Sequence, residues 1–336
     1  MGTPPFAVPA LEALVGQHQV AAVYTRPDSL AGRGQQATPS AVKRAALALG
    51  LPVAQPRSLK DPGEQARLRE MAPELIAVAG YGLLLPPPVL ALPVHRCLNL
   101  HPSLLPRHRG PSPIPFAILC GDQVTGVTLM LMDEGLDTGP ALLRVTQPIS
   151  PQDTAQSLGE TLARLGAGLL LEGLSRWVAG ELAPRPQEGE ATYSRVLKKE
   201  DGRLDWALPA RELWLRVRAF HPWPGTFTLF RGRLLKVLEA EPAEGSALRQ
   251  AQDGAPLGAV VAGVGGGGWG GVGGGAPARA SCGCAGSRWR ARGPCPSTSS
   301  SAAARTSWGP CWAEPPPAPE VVYEPPPRFD SAAAAP

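Results

Sequence analysis

What this chain lacks narrows its function before any motif is considered. No apolar run is long enough to cross a bilayer as a helix, so no membrane partner is expected. Neither a Walker loop nor a G-x-G-x-x-G follows any strand-like segment, which argues against ATP or a dinucleotide as ligand. Lysine is scarce: of 32 basic residues five are lysine and 27 arginine, a bias that points to a GC-rich genome more than to a partner. The net charge of +4 permits a nucleic-acid ligand without requiring one, because phosphate binding depends on clustered charge. No signal-peptide pattern opens the chain, and Cys97 and Cys120 sit in apolar surroundings, so reduced thiols and a cytoplasmic protein are the expectation.

Against these absences stands one dense stretch, from Asn99 to Asp137. Asn99 and His101 are spaced i, i+2, which on an extended strand end aims both side chains to one face. Asp137 follows in a separate turn-rich segment, Gly135-Leu136-Asp137-Thr138-Gly139. An amide donor, an imidazole and a carboxylate suit acyl transfer to an amine: the amide stabilises an oxyanion, the imidazole handles protons and the carboxylate orients it. Taken singly, each residue has a plainer reading, as a turn cap, a polar core residue or an Asx-turn residue.

The runs Asn-Leu-His-Pro-Ser-Leu-Leu-Pro-Arg-His-Arg-Gly, from Asn99, and Gly-Leu-Asp-Thr-Gly together resemble the folate-dependent formyltransferases. The resemblance implies Asn99, His101 and Asp137 as catalytic residues, with Asp137 favouring a charged His101. It implies Ser103, Leu104, Leu105 and Pro106 along the folate. The Pro-Asp-x-x-x-Gly-Arg-Gly segment from Pro27, with Pro-Ser-x-Val-Lys from Pro39, is similar to the insertion by which the tRNA-directed members approach the acceptor end of initiator tRNA. There Arg33 is the residue expected to touch phosphate or base, through a bidentate fork, with Lys43 a weaker candidate. The implied reaction transfers the formyl group of 10-formyltetrahydrofolate, without a metal, to the methionine α-amine of initiator methionyl-tRNA. A monomer is expected. A formyltransferase acting on a small amine, or an impaired remnant that only binds tRNA or folate, remain the alternatives.

At 336 residues the chain is long enough for two domains. The expectation is an α/β protein. Residues 1–180 read as a Rossmann-like, doubly wound parallel-sheet catalytic domain. Residues 181–200 form a linker, 201–261 a small, incomplete C-terminal β-barrel of OB-like type, and 262–336 a low-complexity tail. The opening Met1 to Leu14 reads as a turn entering a helix, with the first buried strand missing ahead of it, so a misassigned start or a truncation is expected. Val20–Tyr24 and Glu74–Val78 read as apolar strands, the second running into Gly80, Tyr81 and Gly82 at the end where ligands collect. Ser40 reads as the N-cap of a helix over 41–49, and 154–178 as a long packing helix.

From Ala262 onward there is no Leu, Ile, Met or Lys. Cys282, Cys284, Cys295 and Cys311 lack the spacing of a zinc site, and the run Gly265 to Gly275 lacks the strand-to-helix context of a phosphate loop. Disorder fits this composition, and a frameshifted translation fits it more specifically. One permissible codon choice for Arg279 to Ser300, read two nucleotides on, yields an alternating strand followed by a helix start.

Overall fold

The computed structural model describes residues 1–31, 36–230 and 232–242, together with the strand segments Val260–Ala262, Trp269–Gly271 and Ala278–Ser281. The chain divides into two units, Met1–Arg288 and Trp289–Pro336, and the second lies outside the described residues.

Gly2 leads through a short 3-10 turn into α1 (Val8–Gln17), followed by β1 (Val23–Tyr24), β2 (Ser29–Ala31) and β3 (Gln36–Thr38). Helix α2 (Ala41–Ala48) starts at Ser40, whose hydroxyl accepts from the Lys43 amide at 3.0 Å, so the sequence-level N-cap holds. Next come β4 (Val53–Ala54), α3 (Pro62–Glu70), β5 (Ile76–Val78) and α4 (Pro87–Leu90). They are followed by β6 (Cys97–His101), α5 (Pro113–Leu119), β7 (Val124–Leu131), β8 (Ala141–Pro148) and α6 (Ala155–Val178). Thr154 and Ser157 close a reciprocal capping box on α6, which fixes its start where the apolar period begins. The segment from Pro27 likened to an insertion is rooted by the antiparallel β2–β3 pair. Backbone pairing there needs no apolar side chains, which is why the pattern was silent.

The catalytic half is a sheet with helices on both faces. β5 and β6 run parallel, as do β1 and β4, whereas β7 and β8 extend the sheet antiparallel. All five residues of β6 are buried, and they alternate between two cores. Leu98 and Leu100 join the cluster under α1, α5 and α6, while Cys97 faces the cluster that holds Tyr24, Leu68, Tyr81 and Val89. Burial pushes the Cys97 thiol up to about 12, so this cysteine is inert core. On α6, Gly166 and Gly173 leave room for Leu100 and Leu129, and a side chain at either glycine would overlap them.

The seam between β1 and β5 has a particular construction. Met1 and Gly2 bridge it: the Met1 ammonium donates to Ala77 O at 2.6 Å, Ala79 N–H to Met1 O at 2.9 Å and Gly2 N–H to Tyr24 O at 2.9 Å. Behind Met1 the seam continues as a cavity of about 520 Å³, lined by Leu11, Leu14, Leu68, Met71, Leu170 and Leu174 among others. Burial in this apolar setting lowers the Met1 ammonium to about 6.

Beyond the linker, α7 (Ala210–Ala219) packs against α5. Its buried Arg218 donates to the carbonyls of Asp153 at 2.8 Å and Ser150 at 2.6 Å, beneath the Trp214 ring. β9 (Thr226–Phe230) and β10 (Arg233–Val237) form a hairpin. β11 (Glu239–Pro242), β12 (Val260–Ala262), β13 (Trp269–Gly271) and β14 (Ala278–Ser281) form a second sheet in the order β11-β14-β13-β12. Two of its strands therefore lie within the stretch whose composition reads as low complexity. Cys282, Cys284, Cys295 and Cys311 lie outside the described residues, as does the rest of that tail. No described helix is long and apolar enough to cross a membrane, and no cluster of metal-ligating side chains occurs among the described residues.

Candidate active site

β6 delivers Asn99 and His101 on the face opposite Leu98 and Leu100. Asn99 is held between Val78 of β5 and Met130 of β7, and His101 lies opposite Thr128. Asp137 arrives on the loop after β7. That loop is shaped by Asp133, whose carboxylate accepts from Gly135 N–H at 3.1 Å and from the Thr138 hydroxyl at 2.8 Å. It closes at Gly139, where a Cβ would fall on the Leu131 carbonyl oxygen. The Gly-Leu-Asp-Thr-Gly spacing thus has a backbone reason as well as a chemical one.

The three polar side chains meet. Asn99 Nδ2 donates to Asp137 Oδ1 at 3.2 Å, and His101 Nδ1 stands 3.6 Å from the same oxygen. The other carboxylate oxygen accepts from Gly110 N–H at 2.8 Å. Asn99 and His101 are 8% and 4% exposed, so the cluster is nearly closed to solvent. The cavity behind Met1 belongs to a different part of the sheet.

His101 Nε2 lies 3.0 Å from His108 O. A carbonyl only accepts, so Nε2 carries the proton and Nδ1 is the open position facing Asp137. Burial lowers the His101 pKa below its ordinary value, against the raising influence of Asp137 and of the His108 carbonyl. The sequence reading expected Asp137 to win and the imidazole to be charged. Enclosure reverses that balance, since an imidazolium with so little access to water loses more hydration than one carboxylate at 3.6 Å returns.

The loop after β6 is a framework. Ser103 is fully buried, its hydroxyl donating to Arg107 O at 2.6 Å, and its carbonyl accepts from Thr128 Oγ1 at 2.7 Å. Leu105 and Pro106 are buried and Leu104 is half-buried, packed beside Gly126. Gly80 and Gly82 are exposed and left-handed, with φ of 56° and 78°. Tyr81 is 2% exposed and its ring lies in the core, so this segment offers backbone and not a phenol. Lys43, the weaker of the two tRNA candidates, is tied to Asp28 at 2.7 Å, and Arg33 lies outside the described residues.

Four residues that sequence reasoning passed over complete the frame. Thr128 locks the Ser103 turn. His108 is 3% exposed, with a left-handed φ of 54°, and its Nε2 pairs with Asp122 at 2.6 Å. Gln187 reaches in from the linker to the Asp137 backbone at 2.8 Å. His108 lay inside the recognised motif, whereas nothing in the spacing of Thr128, Asp122 or Gln187 marks them.

Residues 1–174 match the family model described as formyl transferase, and residues 196–268 match the formyl transferase C-terminal domain. The chain belongs to the formyl transferase family. Among curated relatives, the methionyl-tRNA formyltransferase of Marinobacter nauticus is 46% identical over 263 residues, covering 78% of this chain and 83% of its own. That of Thiobacillus denitrificans is 50% identical over 262 residues, covering 77% and 82%. Two solved formyltransferases share the fold. The sugar 3N-formyl transferase WlaRD superposes with a TM-score of 0.60 at 17% identity, over 83% of this chain and 95% of its own. The N-formyltransferase of Helicobacter canadensis gives 0.58 at 18%, over 83% and 97%. As a formyltransferase, the protein has a Rossmann-like N-terminal domain with the cluster at the end of β6, followed by the smaller C-terminal domain.

Proposed function

We infer that this formyltransferase moves the formyl group of 10-formyltetrahydrofolate onto the α-amino group of methionine on initiator methionyl-tRNA. It works in the cytoplasm, as a monomer, for translation initiation. Relatives of 46–50% identity over more than three quarters of the chain carry that activity in their names, and the observation that supports it from within is the contact of Asn99, His101 and Asp137. Nothing favours a small amine acceptor or an inactive remnant.

In this reading the neutral amine attacks the formyl carbon, a C–N bond forms and the carbonyl π pair moves onto oxygen. One Asn99 N–H is engaged by Asp137, and its second N–H donates to the developing oxyanion. His101, neutral and protonated at Nε2, takes the amine proton at Nδ1. The imidazolium so formed faces Asp137, which stabilises it. The tetrahedral intermediate then collapses, the bond from carbon to the folate nitrogen breaks, and that nitrogen takes the proton held at His101 Nδ1, which returns the imidazole to its neutral form. Ser103 to Pro106, with the backbone at Gly80, Tyr81 and Gly82, bounds the folate side, while Arg33 and Lys43 serve the tRNA. For Lys43 this means exchanging Asp28 for a phosphate.

Formylation of methionyl initiator tRNA by Asn99→Ala tests the assignment. Removing one oxyanion donor lowers turnover by about 10² to 10³, with tRNA affinity nearly unchanged. Unchanged turnover accompanied by lost binding overturns it.

A further inference from the structure

The linker between the two domains reaches the catalytic loops. Gln187 lies in its Pro- and Glu-rich stretch, and both ends of its carboxamide are engaged. Nε2 donates to the carbonyl oxygens of Asp137 at 2.8 Å and Gly139 at 2.7 Å. Oε1 accepts from Nε and Nη2 of Arg109 at 3.1 Å and 2.7 Å. With a guanidinium on one side and two carbonyls on the other, the amide admits one orientation.

Arg109 belongs to the same loop as His108, and it is itself held by the linker. Its N–H donates to Thr192 O at 2.9 Å, and its carbonyl accepts from Ser194 N–H at 2.7 Å. His108 N–H donates to Thr192 Oγ1 at 2.9 Å. The linker therefore fastens the loop that carries Asp137 and the loop whose His108 carbonyl meets His101.

Asp137 needs such fastening. Its φ of 55° is left-handed, a conformation that a residue other than glycine adopts at a cost, so the surroundings have to hold it there. Asn99 and Gly110 hold its carboxylate, and Gln187 holds its carbonyl.

We propose that Gln187 is a positioning residue for Asp137, so that the interdomain linker completes the active site. Gln187 touches no reacting atom and acts only by fixing where the Asp137 carboxylate stands. The proposal rests on the catalytic reading of Asp137 given above.

The test compares kcat, both KM values and Tm for the full chain and Gln187→Met, each with Asp137 intact and in an Asp137→Ala background. Methionine keeps the length and loses the amide. Gln187→Met lowers kcat about tenfold, as expected when a reacting group shifts by a fraction of an ångström, and leaves both KM values within about twofold. In the Asp137→Ala background the same change alters kcat less than about twofold, because the group being positioned is gone. Should Gln187→Met fail to fold, Gln187→Glu gives the same reading, since it keeps the Arg109 pairing and removes donation to the two carbonyls. Wild-type kcat in these variants, or an equal loss with and without the Asp137 carboxylate, overturns the proposal. Wild-type kcat in Asp137→Ala alone overturns the catalytic reading and this proposal with it, an outcome distinct from the other two.

Discussion

Asn99→Asp is a nearly isosteric change that turns the closest contact of the cluster into a clash of charge. The amide nitrogen lies 3.2 Å from Asp137 Oδ1, and the substitution puts a carboxylate oxygen there instead. Two unit charges at that distance repel by about 5 kcal/mol at an effective dielectric of about 20. Relaxation of the loop carrying Asp137 halves this, leaving about 2.5 kcal/mol, or nearly 2 pKa units on one member of the pair. That carboxyl titrates near pH 6 in the folded protein and near pH 4 in the unfolded chain. Between those values the folded state binds more protons than the unfolded state, so stability falls as pH rises. Calorimetry from pH 4 to 7 should show the Tm of Asn99→Asp dropping against wild type by about 5 to 10 °C. Asn99→Ala, which removes the donor without adding charge, should give an offset with no such slope. A flat difference between Asn99→Asp and wild type over this range refutes the adjacency of Asn99 and Asp137.

Three further outcomes follow from the same geometry. Because burial holds the His101 pKa down, the acid limb of kcat/KM for formylation falls below about pH 6.5, and Asp137→Asn moves it lower by removing the opposing anion; a limb above 6.5 refutes this. By the same shift, the contribution of His101 to stability declines as pH drops below about 6.5, where the unfolded chain takes up the proton. Asp122→Ala leaves the buried Nε2 of His108 without its acceptor and destabilises by about 1 to 3 kcal/mol, read from denaturant midpoints; an unchanged midpoint refutes it. Gly173→Ala drives a methyl into Leu129 and destabilises by about 1 to 3 kcal/mol, whereas a stabilised protein shows that α6 can move away at little cost.

The parts of this protein that were legible in the sequence are those where chemistry and periodicity coincide. Asn99 and His101 at i, i+2 on a buried strand, the Ser40 cap and the long helix to Val178 all follow from local pattern, and the structure has them. The neutral resting state of His101 was not legible, since it depends on how completely the surrounding chain excludes water. Nor was the role of Ser103, whose motif reads as ligand-facing while its hydroxyl closes a turn onto Arg107. Gln187 left no trace because a single polar residue in a polar linker carries no period, and its partners are set only when β7 and β8 bring residues 137 and 139 beneath it. The antiparallel run of β7 and β8 was likewise invisible, for strand direction is decided by tertiary pairing.

The bridge made by Met1 and Gly2 bears on how this protein is handled. A residue genetically joined ahead of Met1 replaces its buried amino group with an amide, beside the cavity lined by Leu11, Leu14, Leu170 and Leu174. A polar or histidine-rich purification tag gains nothing by entering a space lined by leucines and stays in water. A short apolar, β-branched spacer would fill the same space. The composition of the first few fused residues therefore becomes a stability variable at that seam.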